Sequence, residues 1–479
     1  MNRPLAGLIT GLFALLAIPA RSEWGDEIIY FVMIDRFADG DGKQAFGIEP
    51  DNPLAFHGGD LKGLTQHLDE IDDLGATAVW ITPVAKQVET PIVSAETGGL
   101  FHGHHGYWAE DLSGIDPRFG TEADLRALAD DLHARGMKLM LDVVYNHLGT
   151  GSALAQDPER RTWIRQGEAC GGDAVTACIY GLPDFRTENP QVADYVLEQQ
   201  ISLAERVGAD GFRLDTFKHL DTAFWHGHRT AVRARLGESF YLLGELWGAD
   251  KYEARPHFAE DLVDGFIDFG FRKAVYDYLS GVWTGDKLGR YLAGRHRVEA
   301  GHHLAPFLSS HDMPLMLAQL RGDTDRLKIG FALLLTASGP PILTWGEEVG
   351  RRGGVWPDNR GDMPWGDRAI EPGAGLARDE GLRRFVQALI AWRKAHPDLS
   401  HAEPETLLST TEALVFSKGA CTVVGINRGD AALDLNDLAT QGLLGEPVLA
   451  SVEGSAGEGG TAATALPAVS ARLWNRCGG

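Results

Sequence analysis

Apolar runs alternate with amphipathic stretches along most of this chain, and the runs have the length of strands. Residues 28–34 are almost continuously apolar, which is typical of a strand buried on both faces of a parallel sheet. Seven further runs follow at intervals that leave room for helices. The eight predicted strands are residues 28–34, 76–82, 138–144, 211–214, 240–244, 266–268, 304–308 and 341–345.

Helical periodicity fills the space between most of these runs. Apolar residues recur on one face of residues 61–74, and a helix that begins after Thr121 has Asp124 at the position of a capping box. Residues 326–337 and 381–395 are also predicted helices. Strand–helix alternation indicates a parallel sheet, and eight repeats over this length predict an α/β fold, a closed (β/α)8 TIM barrel.

Two segments depart from this alternation. Residues 146–187 are too long for an ordinary loop after the third strand and are rich in Gly, Asp and Cys, which predicts a small excursion domain. At the C-terminus the apolar runs become short and alternating, which predicts an antiparallel β-sandwich over residues 398–479. The predicted barrel would then consist of residues 23–145 and 188–397.

Residues 1–22 are similar to a secretory signal peptide. Arg3 precedes an apolar run over residues 5–18, and small residues at positions 20 and 22 have the spacing that signal peptidase requires. We therefore expect cleavage after Ser22 and an exported protein, periplasmic or extracellular. The rest of the sequence contains no segment long and apolar enough to be a membrane span, so none is expected after cleavage.

The charge of the chain limits its partners. The formal net charge is −23, from 44 basic and 67 acidic residues. A chain this acidic should repel nucleic acid and anionic membranes, so we expect no nucleic-acid partner. A neutral molecule or a cation is a better partner, and the protein is expected to be a monomer.

Four cysteines, an even number in a chain expected to be exported, favour disulfides. They are Cys170, Cys178, Cys421 and Cys477, and three pairings are possible. We favour Cys170–Cys178, which would close a short loop, together with Cys421–Cys477, which would tie the last segment to its own domain. Buried free thiols are the alternative, and the spacing does not match a zinc site.

Polar and charged residues follow four of the predicted strands. Because active sites of such barrels lie at the carboxyl ends of the strands, these residues should converge on one mouth. They occupy positions 142–147 after the third strand, 213–219 after the fourth, 244–247 after the fifth and 309–312 after the seventh. One buried aspartate at a strand end is often structural, but four polar strand ends in order indicate a functional site.

These segments resemble the signature regions of the α-amylase family of glycoside hydrolases. The segments that match in order and position are residues 142–147, 211–219, 244–247 and the pair 311–312. Residues 182–185 are similar to the family's fifth region, and residues 75–83 and 105–108 resemble its second strand and third loop. The resemblance covers residues 26–400 and implies cleavage of α-1,4-glucan chains with retention of configuration.

The resemblance implies that Asp215 is the nucleophile, that Glu245 is the acid/base and that Asp312 binds sugar hydroxyls. Retaining hydrolysis requires two carboxyls about 5–5.5 Å apart, which neighbouring strand ends on a rigid barrel can provide. Arg213 lies two residues before Asp215 on the same strand face and would keep the nucleophile ionised. The charges of Asp215 and Asp312 would raise the pKa of Glu245.

The same resemblance implies a set of substrate contacts. His147 and His311 would donate hydrogen bonds to the first glycone sugar, and Tyr107 would stack on that ring. Residues 218–219 resemble the leaving-group side, and the arginine at 360 resembles a glycone-side arginine. The implied substrate-binding residues are Tyr107, His147, Arg213, Lys218, His219, His311 and Arg360.

Calcium is a further implication of the resemblance. Asn146, Asp184 and the backbone oxygen of His219 match a family site between barrel and excursion domain, and hard oxygen ligands suit Ca²⁺. One carboxylate that usually completes this site is not identified in the excursion domain. A second candidate site, for which an acidic turn without an ion is the alternative, consists of Asp39, Asp41, Gly58 and Asp60.

Two other ions are not expected. His102, His104 and His105 suggest zinc, but the family has a histidine-containing loop at this position without such a metal. Ser310 precedes His311 where chloride-activated relatives have Asn, so chloride activation is not expected.

Three functions are weighed within these limits. The first is an endo-acting α-amylase on starch, glycogen or maltodextrins, because the barrel pattern begins directly after the signal and residues 182–184 are Leu-Pro-Asp, as in amylases. Residues 358–360 and 362–365 resemble cyclomaltodextrinases and neopullulanases, which suggests a hydrolase or transglycosylase of short or cyclic maltodextrins. The third is a non-catalytic glucan-binding protein, which is disfavoured because all three acids are present.

Overall fold

The computed structural model describes residues 23–42, 47–295, 298, 300–451 and 464–477. The predicted signal peptide, residues 1–22, lies outside the described residues. Eight parallel strands form the main sheet, and each overlaps a strand predicted from an apolar run. They are β1 (Ile29–Val32), β2 (Ala78–Ile81), β3 (Lys138–Val143), β4 (Gly211–Leu214), β5 (Tyr241–Gly244), β6 (Gly265–Asp268), β7 (His303–Pro306) and β8 (Ile342–Thr344).

The strands follow the order β7-β6-β5-β4-β3-β2-β1-β8. Ile29 pairs in parallel with both Ala78 and Ile342, so the first strand lies between the second and the last. A parallel bridge between Phe307 and Ile342 brings the outer strands together. The predicted barrel fold is therefore confirmed, and burial of every residue of β1 and β2 explains why their sequences lack polar alternation.

Helices surround the barrel where amphipathic stripes predict them. Thr121 and Asp124 form the expected capping box at the start of one helix. The stripe over residues 61–74 is two helices, because His67 has a non-helical backbone (φ −114°, ψ 21°) between them. The helices are α1 (Leu61–Gln66), α2 (Leu68–Leu74), α3 (Glu122–Ala134), α4 (Ala153–Gln156), α5 (Pro190–Val207), α6 (Thr222–Leu236), α7 (Lys251–Ala259), α8 (Phe269–Leu279), α9 (Gly285–Arg295), α10 (Met316–Gln319), α11 (Thr324–Leu335), α12 (Glu380–Ala395) and α13 (Asn436–Thr440).

In the described part of the sequence, none of the helices combines the length and the apolar character that crossing a bilayer would require.

Short elements complete the chain between these helices. The 3-10 turns are Glu23–Asp26, Ile34–Arg36, Arg161–Trp163, Gly167–Ala169, Ile179–Gly181, Phe217–His219, Glu347–Val349, Asp358–Arg360 and Pro397–Ser400. The short strand pairs are Ile92–Val93 with Leu100–Phe101 and Ile164–Arg165 with Asp184–Phe185.

The segment predicted as an excursion domain has little regular structure of its own. Its two short strands, Ile164–Arg165 and Asp184–Phe185, pair in antiparallel orientation. A disulfide joins Cys170 and Cys178 in the loop between them. The strand at 184 also bridges to His147, so the segment returns to the end of β3.

An antiparallel sheet follows the barrel. Its strands are β9 (Pro404–Ser409), β10 (Ala413–Lys418), β11 (Thr422–Asn427), β13 (Glu446–Ala450) and β15 (Ser470–Asn475), and a small second layer contains β12 (Leu433–Asp434) and β14 (Ala465–Leu466). The apolar cluster between the two layers includes Val415, Val423 and Trp474. The disulfide Cys421–Cys477 fastens the end of this region to its own sheet, so both favoured cysteine pairings are present.

Candidate active site

One buried guanidinium lies at the centre of the barrel mouth. Arg213 is in β4 and Asp215 follows it two residues later, so both side chains leave the same strand face. Nη1 of Arg213 lies 2.9 Å from Oδ1 of Asp142 and 2.7 Å from Oδ1 of Asp215. Nη2 lies 2.7 Å from Oε1 of Glu245. Three carboxyl groups, from the ends of three adjacent strands, therefore share one guanidinium.

Glu245 is held with its carboxyl against this cluster. The backbone N–H of Thr216 donates a hydrogen bond to Oε2 of Glu245 at 3.1 Å. Thr216 has a φ of +50°, a left-handed conformation that is uncommon for a β-branched residue and that is often found at functional sites. The strained turn after β4 thus fixes the carboxyl that follows β5.

The pKa of Glu245 suits a proton donor. Burial raises it to about 7, Arg213 opposes that rise, and the charges of Asp215 and Asp312 add to it. A carboxyl with this pKa keeps its proton in a large fraction of molecules near neutral pH, which suits a general acid. We expected the charges of Asp215 and Asp312 to raise this pKa, and they do, but burial contributes more.

The other two predicted catalytic acids differ from Glu245 in their partners. Burial raises the pKa of Asp215, and the guanidinium of Arg213 opposes this shift. Burial also disfavours the charged form of Asp312, yet His311 and Arg360 lower its pKa below the usual range. Asp312 is therefore ionised across the neutral pH range.

Asp312 lies between a histidine and an arginine. Nε2 of His311 is 3.0 Å from Oδ2 of Asp312, and Nη2 of Arg360 is 3.0 Å from Oδ1. The carbonyl oxygen of His311 accepts hydrogen bonds from Nε of Arg360 at 2.9 Å and from the Asn359 amide at 2.8 Å. The segment after β8 therefore fixes the loop after β7, and Asn359 is a residue that we did not identify from the sequence.

Tyr107 occupies the wall of the same mouth. Its ring is parallel to that of His311, with centroids 5.3 Å apart. Its hydroxyl donates a hydrogen bond to Oδ2 of Asp142 at 2.8 Å. The side chain is half-buried, so one part of the ring stays available to a ligand while its hydroxyl is held by the cluster.

The remaining predicted substrate contacts lie around this centre. His147 is buried, and burial lowers its pKa to about 4, so its imidazole is neutral near pH 7. Lys218 is exposed on the turn after β4. His219 is half-buried, and its Nδ1 lies 2.8 Å from the carbonyl oxygen of Ala174 in the disulfide loop.

Asp142 is the most important residue that our site prediction omitted. It accepts hydrogen bonds from Arg213, Tyr107 and the indole of Trp80 (3.1 Å). Burial raises its pKa to about 7, Arg213 opposes this, and Asp215 adds to it. Its position was visible as the first residue of the segment after the third strand, but its partners come from other strands.

The cavity below the acids is largely apolar. Its polar lining consists of Arg213, Glu245, Ser309, Ser310, His311, Asp312 and Thr344. The apolar and aromatic lining comes from Phe31, Trp80, Ile267, Phe269, Phe307 and Ile342. Apolar surroundings lower the local dielectric constant, which strengthens each charge interaction in the cluster.

The first predicted calcium site is a poor match for that ion. Asn146 and Asp184 lie together, since Phe185 N–H donates to the carbonyl oxygen of Asn146 at 2.8 Å. Oδ2 of Asp184, however, forms an ion pair with Arg165, and only Oδ1 is buried without a partner. Ca²⁺ needs several oxygen ligands, and a guanidinium already compensates the one carboxylate of this set. Calcium at this site stays a prediction that the donor set does not favour.

The second predicted calcium site has a more suitable donor set. Carboxylate oxygens of Asp39, Asp41 and Asp60 all lie within 4.8 Å of one another. Gly58 lies beside them, since a Cβ at this position would be 3.9 Å from Oδ2 of Asp39. Burial raises the pKa of Asp60 to about 6, and the charges of Asp41 and Asp39 add to the shift. Carboxylates held this close match the preference of Ca²⁺ for oxygen ligands.

Comparison with known proteins places this geometry in a family. The family described as "Alpha amylase, catalytic domain" matches residues 31–168 and 175–395. A cyclomaltodextrinase of Geobacillus thermopakistaniensis is 29% identical over 441 residues, which cover 86% of this chain and 70% of that protein. A cyclomaltodextrinase of a Bacillus species is 31% identical over 399 residues, covering 78% of this chain and 66% of the relative.

A solved structure has the same architecture. The α-amylase of Geobacillus thermoleovorans in complex with acarbose superimposes with a TM-score of 0.77 at 28% identity, over 95% of this chain and 99% of the other. The chain spans about two thirds of the length of the two cyclomaltodextrinases.

The parallel barrel and the acids at its mouth define the class of protein as a glycoside hydrolase. The chain belongs to the α-amylase family.

Proposed function

We propose that this protein hydrolyses α-1,4-glucosidic bonds with retention of configuration. The observation that carries the proposal is the single guanidinium of Arg213 that contacts both Asp215 and Glu245 at 2.7 Å. Two carboxyls that face one point can act on opposite sides of one scissile bond. Their environments differ, because Glu245 has a pKa of about 7 and also accepts a backbone hydrogen bond.

The reaction has two steps. Asp215 attacks the anomeric carbon and forms a glycosyl ester, while Glu245 gives its proton to the departing glycosidic oxygen. Glu245 then takes a proton from a water molecule, the resulting hydroxide attacks the anomeric carbon, and Asp215 leaves as a carboxylate. Two inversions at one carbon give net retention.

The surrounding side chains have matching roles in the proposal. Asp312, kept ionised by His311 and Arg360, accepts hydrogen bonds from sugar hydroxyls. Neutral His147 donates a hydrogen bond to the same sugar, and Tyr107 packs against its ring. The glycone sugar is thus oriented by side chains that are held rigidly by the barrel and by the turn at residues 359–360.

The preferred substrate is the finer part of the proposal. Endo-hydrolysis of starch, glycogen or long maltodextrins is one candidate, and the similarity to the α-amylase of Geobacillus thermoleovorans supports it. Hydrolysis or transglycosylation of short or cyclic maltodextrins is the second, which the two cyclomaltodextrinase relatives favour at least as strongly.

Product analysis by chromatography separates these candidates. The enzyme is incubated with soluble starch and, separately, with β-cyclodextrin, and products are followed from the first minutes. Rapid loss of iodine staining with mixed oligosaccharides supports the endo-amylase. Faster turnover of β-cyclodextrin than of starch, with maltose as an early product, supports the second candidate, and no cleavage of either substrate contradicts both.

Three further properties belong to the proposal. Ca²⁺ would bind at Asp39, Asp41 and Asp60, where it would have a structural role away from the reacting groups. The protein would be exported, as its N-terminal sequence predicts, and would act as a monomer. Mass photometry or light scattering of the purified protein tests the last point, and a stable dimer would contradict it.

A further inference from the structure

A buried arginine compensates the acid that we predicted to bind calcium. Arg165 and Asp184 lie directly opposite each other in the antiparallel pair of the excursion segment. Nη1 of Arg165 forms an ion pair with Oδ2 of Asp184, and Nη2 forms another with Oε2 of Glu188. The side chains of Arg165 and Asp184 are 4% and 1% exposed, whereas that of Glu188 is 47% exposed.

This ion pair lies where the excursion segment meets the barrel. Asp184 forms a bridge with His147, which follows β3. The adjacent backbone hydrogen bonds run from Phe185 to Asn146 at 2.8 Å and from Leu148 to Pro183 at 2.9 Å. A charge at Asp184 is therefore part of the junction between the two regions.

Arg165 supplies a positive charge beside Asp184 without a metal, although burial still raises the pKa of Asp184 to about 7. A buried carboxylate is costly unless a counter-ion and hydrogen bonds compensate it, and the forked guanidinium supplies both. A dication on the remaining oxygen of Asp184 would lie close to the guanidinium and would be repelled by it. Among the His, Cys, Asp and Glu side chains that the structure describes, the only group of three able to share an ion is Asp39, Asp41 and Asp60.

We propose that the guanidinium of Arg165 replaces the calcium ion at this junction, so that an internal cation fastens the excursion segment to the barrel. The proposal concerns stability and metal content, so it does not depend on which glucan the enzyme cleaves. Its consequence is that the junction should not respond to chelators.

The first test removes the other candidate calcium site. In the background variant Asp39→Asn/Asp41→Asn, the melting temperature is measured in excess EDTA and in millimolar Ca²⁺, and bound calcium is determined by atomic emission. We expect equal melting temperatures and no bound calcium. A higher melting temperature in Ca²⁺, or one calcium ion per chain, would overturn the proposal.

The second test replaces Arg165 with an acidic residue in the Asp39→Asn/Asp41→Asn background. Arg165→Glu places a carboxylate opposite Asp184, so we expect a melting temperature in EDTA that is lower by about 5 °C, because like charges are then buried together. Millimolar Ca²⁺ should recover most of this loss, since the junction then offers several carboxylate oxygens. Equal melting temperatures with and without Ca²⁺ would contradict the assignment of Arg165 to the ion's place.

Two further variants separate this effect from general damage. Arg161→Met removes an exposed arginine of the same segment that does not contribute to the pKa shift of Asp184, and it should not create a calcium response. Arg165→Met/Asp184→Asn removes both charges and should fold without calcium if Arg165→Glu does not fold in EDTA. A calcium response in either control would show that the effect is not specific to the pair and would overturn the proposal.

Discussion

Two buried arginines hold carboxyl groups in this protein, and they differ in the number of acids around them. Arg213 contacts Asp142, Asp215 and Glu245, all of them buried. Arg165 contacts Asp184, which is buried, and Glu188, which is half in solvent. The first cluster contains more acid than its cation can compensate, so one carboxyl stays protonated, while in the second the buried charges are balanced.

This difference separates chemistry from structure. An unbalanced cluster contains a proton that moves near neutral pH, and glycoside hydrolysis needs such a proton. Burial raises the pKa of Asp184 to about 7 as well, with Arg165 opposing the rise, so a raised pKa alone does not distinguish this pair from the cluster around Arg213. The two sites differ in the number of buried carboxyls at one guanidinium, which is three for Arg213 and one for Arg165.

The largest expected effect comes from the two acids that are proposed to flank the scissile glycosidic bond. Asp215→Asn and Glu245→Gln should each lower kcat on maltooligosaccharides by more than about 10⁴-fold, because one removes the proposed nucleophile and the other the proposed proton donor. The measurement is the initial rate with a chromogenic maltoheptaoside. Asp69→Asn, at a side chain that is 84% exposed, is the matched control and should keep the wild-type rate. Near-normal activity in either site variant would refute its role.

Arg213→Lys tests whether the geometry of the guanidinium matters as well as its charge. Lysine keeps one positive charge but cannot contact three carboxyls from a planar fork, so kcat/KM should fall by about 10²–10³-fold. Arg165→Lys is the comparison and should leave kcat unchanged. Equal losses of kcat in the two variants would remove the distinction between the clusters.

The pH dependence of kcat/KM tests the protonated acid directly. Burial raises the pKa of Glu245 to about 7, so the group carries its proton below that pH and loses it as the pH rises. Because the proton donor must be protonated, kcat/KM should fall about tenfold per pH unit well above 7. A profile that stays flat to pH 9 would contradict the assignment of Glu245.

Glu188→Gln should have the smallest effect. This side chain is 47% exposed, so the loss of its ion pair with Arg165 should cost less than about 1 kcal/mol of unfolding free energy. Thermal unfolding should shift by no more than about 2 °C, and kcat should not change. A large loss of kcat would show that the excursion segment contributes to the chemistry.

Much of the barrel was predictable because its signals are local. A strand buried on both faces needs a continuous apolar run, and each of β1 to β8 lies within or beside such a run. The predicted strand ends bring Asp215, Glu245 and Asp312 to one mouth, as the structure shows for their side chains.

Partners from distant parts of the chain were not predictable. The contact of Arg213 with Glu245 joins two strands, and the pairing of Arg165 with Asp184 depends on a register within an irregular segment. The contact of Asn359 with the loop after β7 spans 48 residues. Local periodicity carries no information on such contacts, which explains the omission of Asp142 and why the pairing of Arg165 with Asp184 was not predicted.

The neighbouring positions of the first and last barrel strands have a consequence for biosynthesis. Ile29 cannot pair with Ile342 until the ribosome has produced nearly the whole barrel. Until then, one edge of the early strands has backbone groups without a strand partner. A nascent chain in this state is exposed to aggregation, and its final closure is a late, long-range event.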